Sequence, residues 1–545
     1  MKLRFVAILV LVLGIIVLAA CDQTAAPPAE EEAVPTQEEE TTEAEEEEAA
    51  PTEEKAPAEE EAVEAEMRCV RVANSDNSGP AQTNDPAFHV TTDDGFRIHN
   101  IYDRFIDIDN NLDAVPNLAE SWEPNDDATE WLFYLREGVK FSDGTPLTAA
   151  DVVFTFKRLI DPDVGSSAAS TLSFLESATI ESVDDLTVRF AFDEPVVELP
   201  IMLTGYSTYI VPENADPEVL KLQGVGTGPF MVDEFEPNTT YVRLVPNPYY
   251  WGDPPQVDCV EQIIIEEATT RISALLSGEV DIMVQLDIGQ IPMLEDDPNI
   301  VIAQVPGATS YGMPMWVDTP PFDNVHLRNA LKLAADRQEL VDIVLLGYGV
   351  AGIDSPLPPT SPYAHLSEAP EQDIEGCVAE LELAGYSDGV DLTLYTSEVL
   401  PGFVDLAQAY AEQAAECGIR IEVIQAPVET YWDEVWLVEP WLVSGWSALP
   451  VYQALTIATL SDSDWNDTHF YREDFDALID QASKTVDDDE RKALYQDASR
   501  MIAEEGGFLT TIFVPVLSAY RSNIEGFAPH IIQSTIDMRG VHFTD

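Results

Sequence analysis

The side chains that do chemistry elsewhere are abundant in this 545-residue chain but poorly arranged for catalysis. Asp and Glu number 101, so paired carboxylates at glycosidase-like spacing occur throughout and specify nothing. The seven His are scattered, with no His-Glu-x-x-His, and no Gly-x-Ser-x-Gly elbow occurs. His365 and His469 lack the neighbouring donors that a metal site needs. The glycine-rich run Gly224-Val225-Gly226-Thr227-Gly228-Pro229-Phe230 is followed by no Lys-Ser/Thr pair, and its spacing is not that of a phosphate-cradling loop. No catalytic residue, metal site or cofactor is therefore expected.

Five cysteines carry more definite chemistry. Lys2 and Arg4 precede an apolar run over 5–20, short of the roughly 20 residues of a membrane span, and it ends Leu18-Ala19-Ala20-Cys21. Small residues before a Cys look like a lipobox, so residues 1–21 read as a lipoprotein signal peptide and Cys21 as the lipidated residue. Two acyl chains on that Cys suffice for stable anchoring. The folded part would then face outward from the cytoplasmic membrane, in a periplasm or at a cell surface. Asp22 resembles the inner-membrane retention signal of Gram-negative lipoproteins. Cys69, Cys259, Cys377 and Cys417 are an even number outside the cytoplasm and suit disulfides, with three pairings open. Spacing alone does not choose. Cys69 and Cys259 lie in strand-like runs, Cys377 and Cys417 in helix-like runs, and pairing like with like gives Cys69–Cys259 and Cys377–Cys417.

Residues 22–66 hold 19 acids against one Lys (Lys55), padded with Ala, Pro and Thr. Without aromatics such a segment cannot offset chain entropy by burial, so a disordered, extended acidic linker is expected. Removing these and the two cations of 1–21 takes the formal charge from −75 to −59 for residues 67–545. Phosphate would be repelled, which argues against a nucleic-acid partner. Surface adaptation to salty water explains the acidity better than steering of a cationic solute.

The elements that must position any site are best marked between residues 118 and 159. Trp131, Phe133 and Leu135 alternate as in a strand, Asp143-Gly144 marks a turn, and Thr148 with Asp151 makes a capping-box pair. Val152, Val153, Phe156, Leu159 and Ile160 follow at helical spacing until Pro162. Downstream, helices expected over 374–384, 404–417 and 430–437 alternate with strands over 391–395 and 420–424, an α/β pattern. A helix is also expected over 88–108.

This stretch resembles the signature of the extracytoplasmic solute-binding proteins of ABC importers, family 5, the peptide/nickel-binding type. Pro116, 118–122 (LAESW), 136–141 (REGVKF) and 142–148 (SDGTPLT) fit it. So do GTGPF at 226–230, GEVD at 278–281, the run from Pro321 through Arg337, and FDALI at 475–479. The resemblance implies an α/β, two-lobe periplasmic-binding-protein-like fold of class II type with an extra subdomain in the first lobe. The first lobe would span 67–305, the second 306–510, and residues 511–545 would return to the first. It further implies a monomer that closes on a small solute and delivers it to an ABC permease in the cytoplasmic membrane. A peptide is the leading solute; oligosaccharide, nickel or a metal complex, and a sensory-receptor role are the alternatives.

For the cleft, the resemblance nominates Trp446, Ser447, Leu449, Trp316, Asp318, Tyr206, Tyr209 and Trp432. Peptide-binding members carry W-x-x-D, whose Asp meets the peptide ammonium; here Leu449 stands in that place. A buried ammonium without its carboxylate costs several kcal/mol, so another acid substitutes or the solute is not a free peptide. Asp318 and Asp433 are the candidate substitutes. Extra Trp suits stacking on sugar rings or apolar side chains.

Overall fold

The computed structural model describes residues 67–75, 82–213 and 215–544; the expected signal peptide, Cys21 and the acidic linker lie outside the described residues. The fold is mixed α/β with two lobes. Its main sheet has nine strands. Eight follow one path: Ser444–Ser447, Ile300–Gly312, Thr510–Arg521, Ile282–Met283, Cys69–Asn74, Cys259–Ile264, Tyr241–Pro246 and Phe230–Phe235.

Two of these strands are long. Ile300–Gly312 runs antiparallel to Thr510–Arg521, with Ile300 opposite Arg521 and Gly312 opposite Thr510. At one end Leu517 and Ala519 join a core with Ile272, Leu275 and Met283. At the other, Met313, Leu509 and Ile512 join a core with Leu331, Phe403 and Trp441. Between these ends the register shifts, Val305 facing Val516 but Thr309 facing Val514. Pro306 and Pro515 lie in the gap, and neither can donate to a ladder, so pairing opens there.

The first lobe carries a separate four-stranded sheet, ordered Ala119–Pro124, Glu130–Leu135, Thr187–Ala191, Thr179–Asp184. Trp131, Phe133 and Leu135 point inward as their alternation requires. Phe133 packs on Phe105 and Phe190, with ring centroids 5.1 and 5.4 Å apart. Helix Ala149–Leu159 covers this sheet through Val152, Phe156 and Leu159. At its start the Thr148 backbone N–H donates to Asp151 Oδ2 at 2.7 Å, satisfying a donor that the helix leaves free. The glycine-rich run is structural: a Cβ at Gly226 would lie 2.2 Å from the Ile101 carbonyl oxygen, and Gly228 N–H donates to that oxygen at 2.9 Å.

Three segments differ from expectation. The helix expected over 88–108 is only Thr92–Ile101, and Ile106–Ile108 is a strand. Tertiary partners capture the intervening backbone: Ile210 N–H donates to Asp103 O, and Arg104 bridges to Tyr209. The helix expected over 430–437 is a single π turn, Tyr431–Val435, and Leu437 adopts φ 58°, which cannot continue a helix. In the second lobe, Val390–Thr396 and Ile419–Gln425 form only a two-stranded parallel sheet, flanked by helices Ile374–Ala384 and Phe403–Ala415.

Both disulfides form as like-with-like pairing expects. Cys69 and Cys259 are register partners on adjacent parallel strands, with Cα atoms 4.4 Å apart. Cys377–Cys417 spans 40 residues and ties the 374–384 helix to the chain just beyond the 403–415 helix. Closing a loop of that length stabilises by about 4 kcal/mol in the chain-entropy model. The double variant Cys377→Ala/Cys417→Ala is expected to melt roughly 4 °C below wild type in differential scanning calorimetry.

Candidate functional site

Beside the opening at Pro306 the chain leaves a cleft. Its second-lobe wall begins as the edge strand Ser444–Ser447, which pairs with the long strand so that Trp446 lies opposite Ser310. Trp446, Ser447, Ala448 and Leu449 face Asn110, Asn111, Leu112 and Ile531 of the first lobe across a cavity of about 40 Å³. Tyr363, Leu112 and Val451 are shared with a larger cavity of about 660 Å³, bounded by Trp122, Glu198 and Arg491.

Two hydroxyl–carboxylate bridges cross between the lobes. Tyr363 Oη donates to Asp113 Oδ1 at 3.2 Å, and Tyr495 Oη donates to Glu198 Oε1 at 2.8 Å. Arg491 Nε stands 3.5 Å from the same Glu198 oxygen. Burial holds the Asp113 carboxyl above its ordinary range.

Behind the cleft wall lies an acid that sequence reasoning missed. Trp446 Nε1–H donates to Asp467 Oδ2 at 3.0 Å. Asp467 is 2 % exposed. Burial pushes this carboxyl up to about 7, with hydrogen bonds from the Trp446 and Trp436 indoles pulling the other way. The residue sits in the irregular segment Trp465-Asn466-Asp467-Thr468, where no periodicity separates a buried acid from the chain's many exposed ones.

The indole of Trp446 also heads an aromatic run. Its ring centroid is 6.1 Å from Trp436 and 6.2 Å from Trp465, and Trp436 is 5.9 Å from Trp432. All four rings are half-buried. The π turn that replaced the expected helix places Trp432, Val435 and Trp436 on the second-lobe core, and Trp436 also reaches Trp446.

The other nominated residues are elsewhere. Trp316 stacks on His469 at 3.9 Å, and His469 Nδ1 lies 2.9 Å from Asp318 Oδ1; neither Trp316 nor Asp318 lines the cleft cavities. Asp433 is exposed on the π turn. Tyr206 is exposed on the first lobe, its hydroxyl donating to the Ser167 carbonyl at 3.1 Å. Tyr209 is buried beneath Arg104, with His99 Nδ1 3.2 Å from its hydroxyl. Thus Trp446, Ser447 and Leu449 come together in the cleft, and Trp432 reaches it only through Trp436. Among the described residues no group of three or more His, Cys, Asp and Glu is placed to hold a metal ion.

Residues 113–467, the span that holds this wall and most of its partners, match the family model for bacterial extracellular solute-binding proteins, family 5. The chain belongs to that family. Among relatives of this family-5 protein, the peptide transport periplasmic protein SapA of Salmonella typhimurium is 28% identical over 464 residues, covering 78% of this chain and 83% of SapA. Heme-binding protein A of Haemophilus influenzae is 26% identical over 464 residues, 79% and 82% of the two chains. Glutathione-binding protein GsiB of Escherichia coli is 27% identical over 443 residues, 78% and 86%. The solved structure of HbpA2 from Haemophilus parasuis superposes with TM-score 0.75 at 23% identity, covering 88% of this chain and 100% of that one. The unliganded murein tripeptide-binding protein MppA gives TM-score 0.76 at 21% identity, 88% and 98%. Family-5 members of this kind are extracytoplasmic substrate-binding components of transport systems.

Asp467 links the family-5 fold to pH. Its folded value lies above the ordinary carboxylate value, so its stabilising contribution is complete below about pH 4 and is lost as pH rises through about 7. Asp467→Asn, which removes the cost of ionising a buried carboxyl, is expected to raise Tm over wild type at pH 8 and to change it little at pH 4. Thermal unfolding followed by circular dichroism across that range measures the difference.

Proposed function

We propose that this chain is the lipid-anchored, non-catalytic binding subunit of an ABC importer, capturing an oligopeptide between its lobes as a monomer and presenting it to a membrane permease. We place the lobes at 67–305 and 306–510, with 511–545 returning to the first, and the anchor at Cys21. The observation that carries the proposal is the cleft, whose opposite walls belong to different lobes. A solute touching both walls favours the arrangement that brings them together, by its differential affinity for that arrangement. A permease can then read the arrangement rather than the solute.

A peptide suits this cleft because Ser444–Ser447 ends the main sheet, leaving main-chain groups along one edge for an extended backbone to meet. SapA is named for peptide transport, and a related dipeptide-binding protein structure holds Met-Leu, although other relatives are named for heme and glutathione. An oligosaccharide is the second reading, favoured by the half-buried indoles that lead away from the cleft.

Mass spectrometry of small molecules released on denaturing the gently purified protein tests the solute class. A ladder of short peptides is expected, and hexose oligomers would transfer the protein to glycan uptake. Trp446→Ala is expected to weaken binding of the released solute about tenfold or more with the fold intact, measured by titration calorimetry; unchanged affinity would remove Trp446 from the site. Cys21→Ser is expected to move the protein from the membrane to the soluble fraction of expressing cells.

A further inference from the structure

We infer that Tyr363 and Tyr495 are the two halves of a latch that draws the lobes together without help from a solute, each hydroxyl catching one carboxylate of the opposite lobe. The inference rests on the two-lobe closing proposal and assigns the groups that set its resting balance. Tyr363 Oη donates to Asp113 Oδ1 at 3.2 Å, and Tyr495 Oη donates to Glu198 Oε1 at 2.8 Å. Among the described residues, neither carboxylate receives a side-chain hydrogen bond from its own lobe.

Both halves are rigid before they meet. On the second lobe the two rings stand edge to face, with centroids 5.9 Å apart. Tyr495 is fully buried in the core with Phe475, Ile479 and Ile502, and Tyr363 packs against that core. Arg491 beside them is pinned by the Thr485 carbonyl at 2.9 Å, and its Nε lies 3.5 Å from Glu198 Oε1. On the first lobe Glu198 lies between Val197 and Leu199, both buried, and Asp113 leads into the pairing of Ala114–Pro116 with Ile106–Ile108. Little side-chain freedom is therefore lost when the bridges form. A hydroxyl donating to a carboxylate makes the stronger, charge-assisted kind of hydrogen bond.

Asp113, Tyr363, Glu198 and Arg491 all line the cavity of about 660 Å³, so the bridges cross at the margin of open space rather than inside a packed interface. Neither bridge uses a residue of the 446–449 wall, and both are complete with protein atoms alone. The latch is thus indifferent to the chemistry of the solute: it sets how often the lobes meet, while the cleft sets what they hold. Each bridge is expected to favour the joined arrangement about tenfold.

The test follows lobe separation in the full chain, with spin labels carried on p-acetylphenylalanine at Val183 and Leu383, exposed positions one on each lobe that leave the cysteines untouched. Pulsed electron double resonance reads the distance after bound small molecules are removed by denaturation and refolding with the disulfides intact. Stripped wild type is expected to show a short-distance population. Tyr363→Phe/Tyr495→Phe, its fold verified by circular dichroism, is expected to lower the ratio of short to long distance at least tenfold. Asp113→Ala/Glu198→Ala, which alters only the first lobe, is expected to match it, and combining all four changes to add nothing further. An equal ratio in wild type and both double variants, with the small-molecule fraction released by the protein still shifting it, overturns the latch and leaves the importer proposal standing. So does a stripped wild type found only at the long distance. Losses that add when the double variants are combined overturn it as well, because the paired groups then act separately. A single distance unchanged by every variant and by the released fraction refutes lobe closing and the latch together.

Discussion

Neither lobe can complete its core without Ile300–Gly312 and Thr510–Arg521, and that shared dependence governs the rest of the molecule. One end of the paired strands supplies Leu517 and Ala519 to the first lobe, and the other supplies Leu509 and Ile512 to the second. Ten residue pairs hold the two in register, interrupted where Pro306 and Pro515 remove donors. A second, smaller shift in register falls between Tyr311 and Gly312. The cleft lies against the first interruption because the edge strand bearing Trp446 is laid down on the ladder just beyond it.

Much of this was legible in the sequence, where local and tertiary forces agree. The strand at Trp131–Leu135, the capped helix after Thr148 and the helix over 374–384 obey short-range rules that burial then reinforces. Cysteine pairing followed from the kind of element each thiol occupied. Legibility ended where a distant partner outbid local pattern. The backbone at Asp103 and Arg104 is helical by composition, but the segment around Tyr209 pairs with it. Trp432 and Trp436 have helical spacing, yet the chain makes one π turn and leaves. Asp467 was invisible for another reason: in a chain with 101 acids, only three-dimensional burial distinguishes one from the rest.

The contrast between that acid and the others also separates two uses of charge. The great excess of carboxylate over Lys and Arg is tolerable on a surface, where water and salt screen it. Some deeply buried charges are matched, as Arg97 is with Asp94 and Arg337 with Asp354, at 2.6 and 2.7 Å. Arg328 and Lys332 instead satisfy carbonyls around Ala503, Glu505 and Gly506, at the end of the 488–505 helix, as cations at a helix C-terminus do. Two buried carboxyls are answered instead by indoles, Asp467 by Trp446 and Asp103 by Trp251.

The run of indoles has an optical consequence. Four of the nine Trp are in edge or tilted contact at centroid distances of 5.9 to 6.2 Å. Rings that close exchange electronic excitation before they emit, so light absorbed by Trp432 or Trp465 is reported from whichever ring in the run lies lowest in energy. Trp446 occupies the one position in that relay that borders the cleft and touches a carboxyl able to change its charge. The share of the ultraviolet emission that comes from this run is thus tied to the dielectric and protonation state of a single corner of the molecule, a colour signal that needs no attached dye.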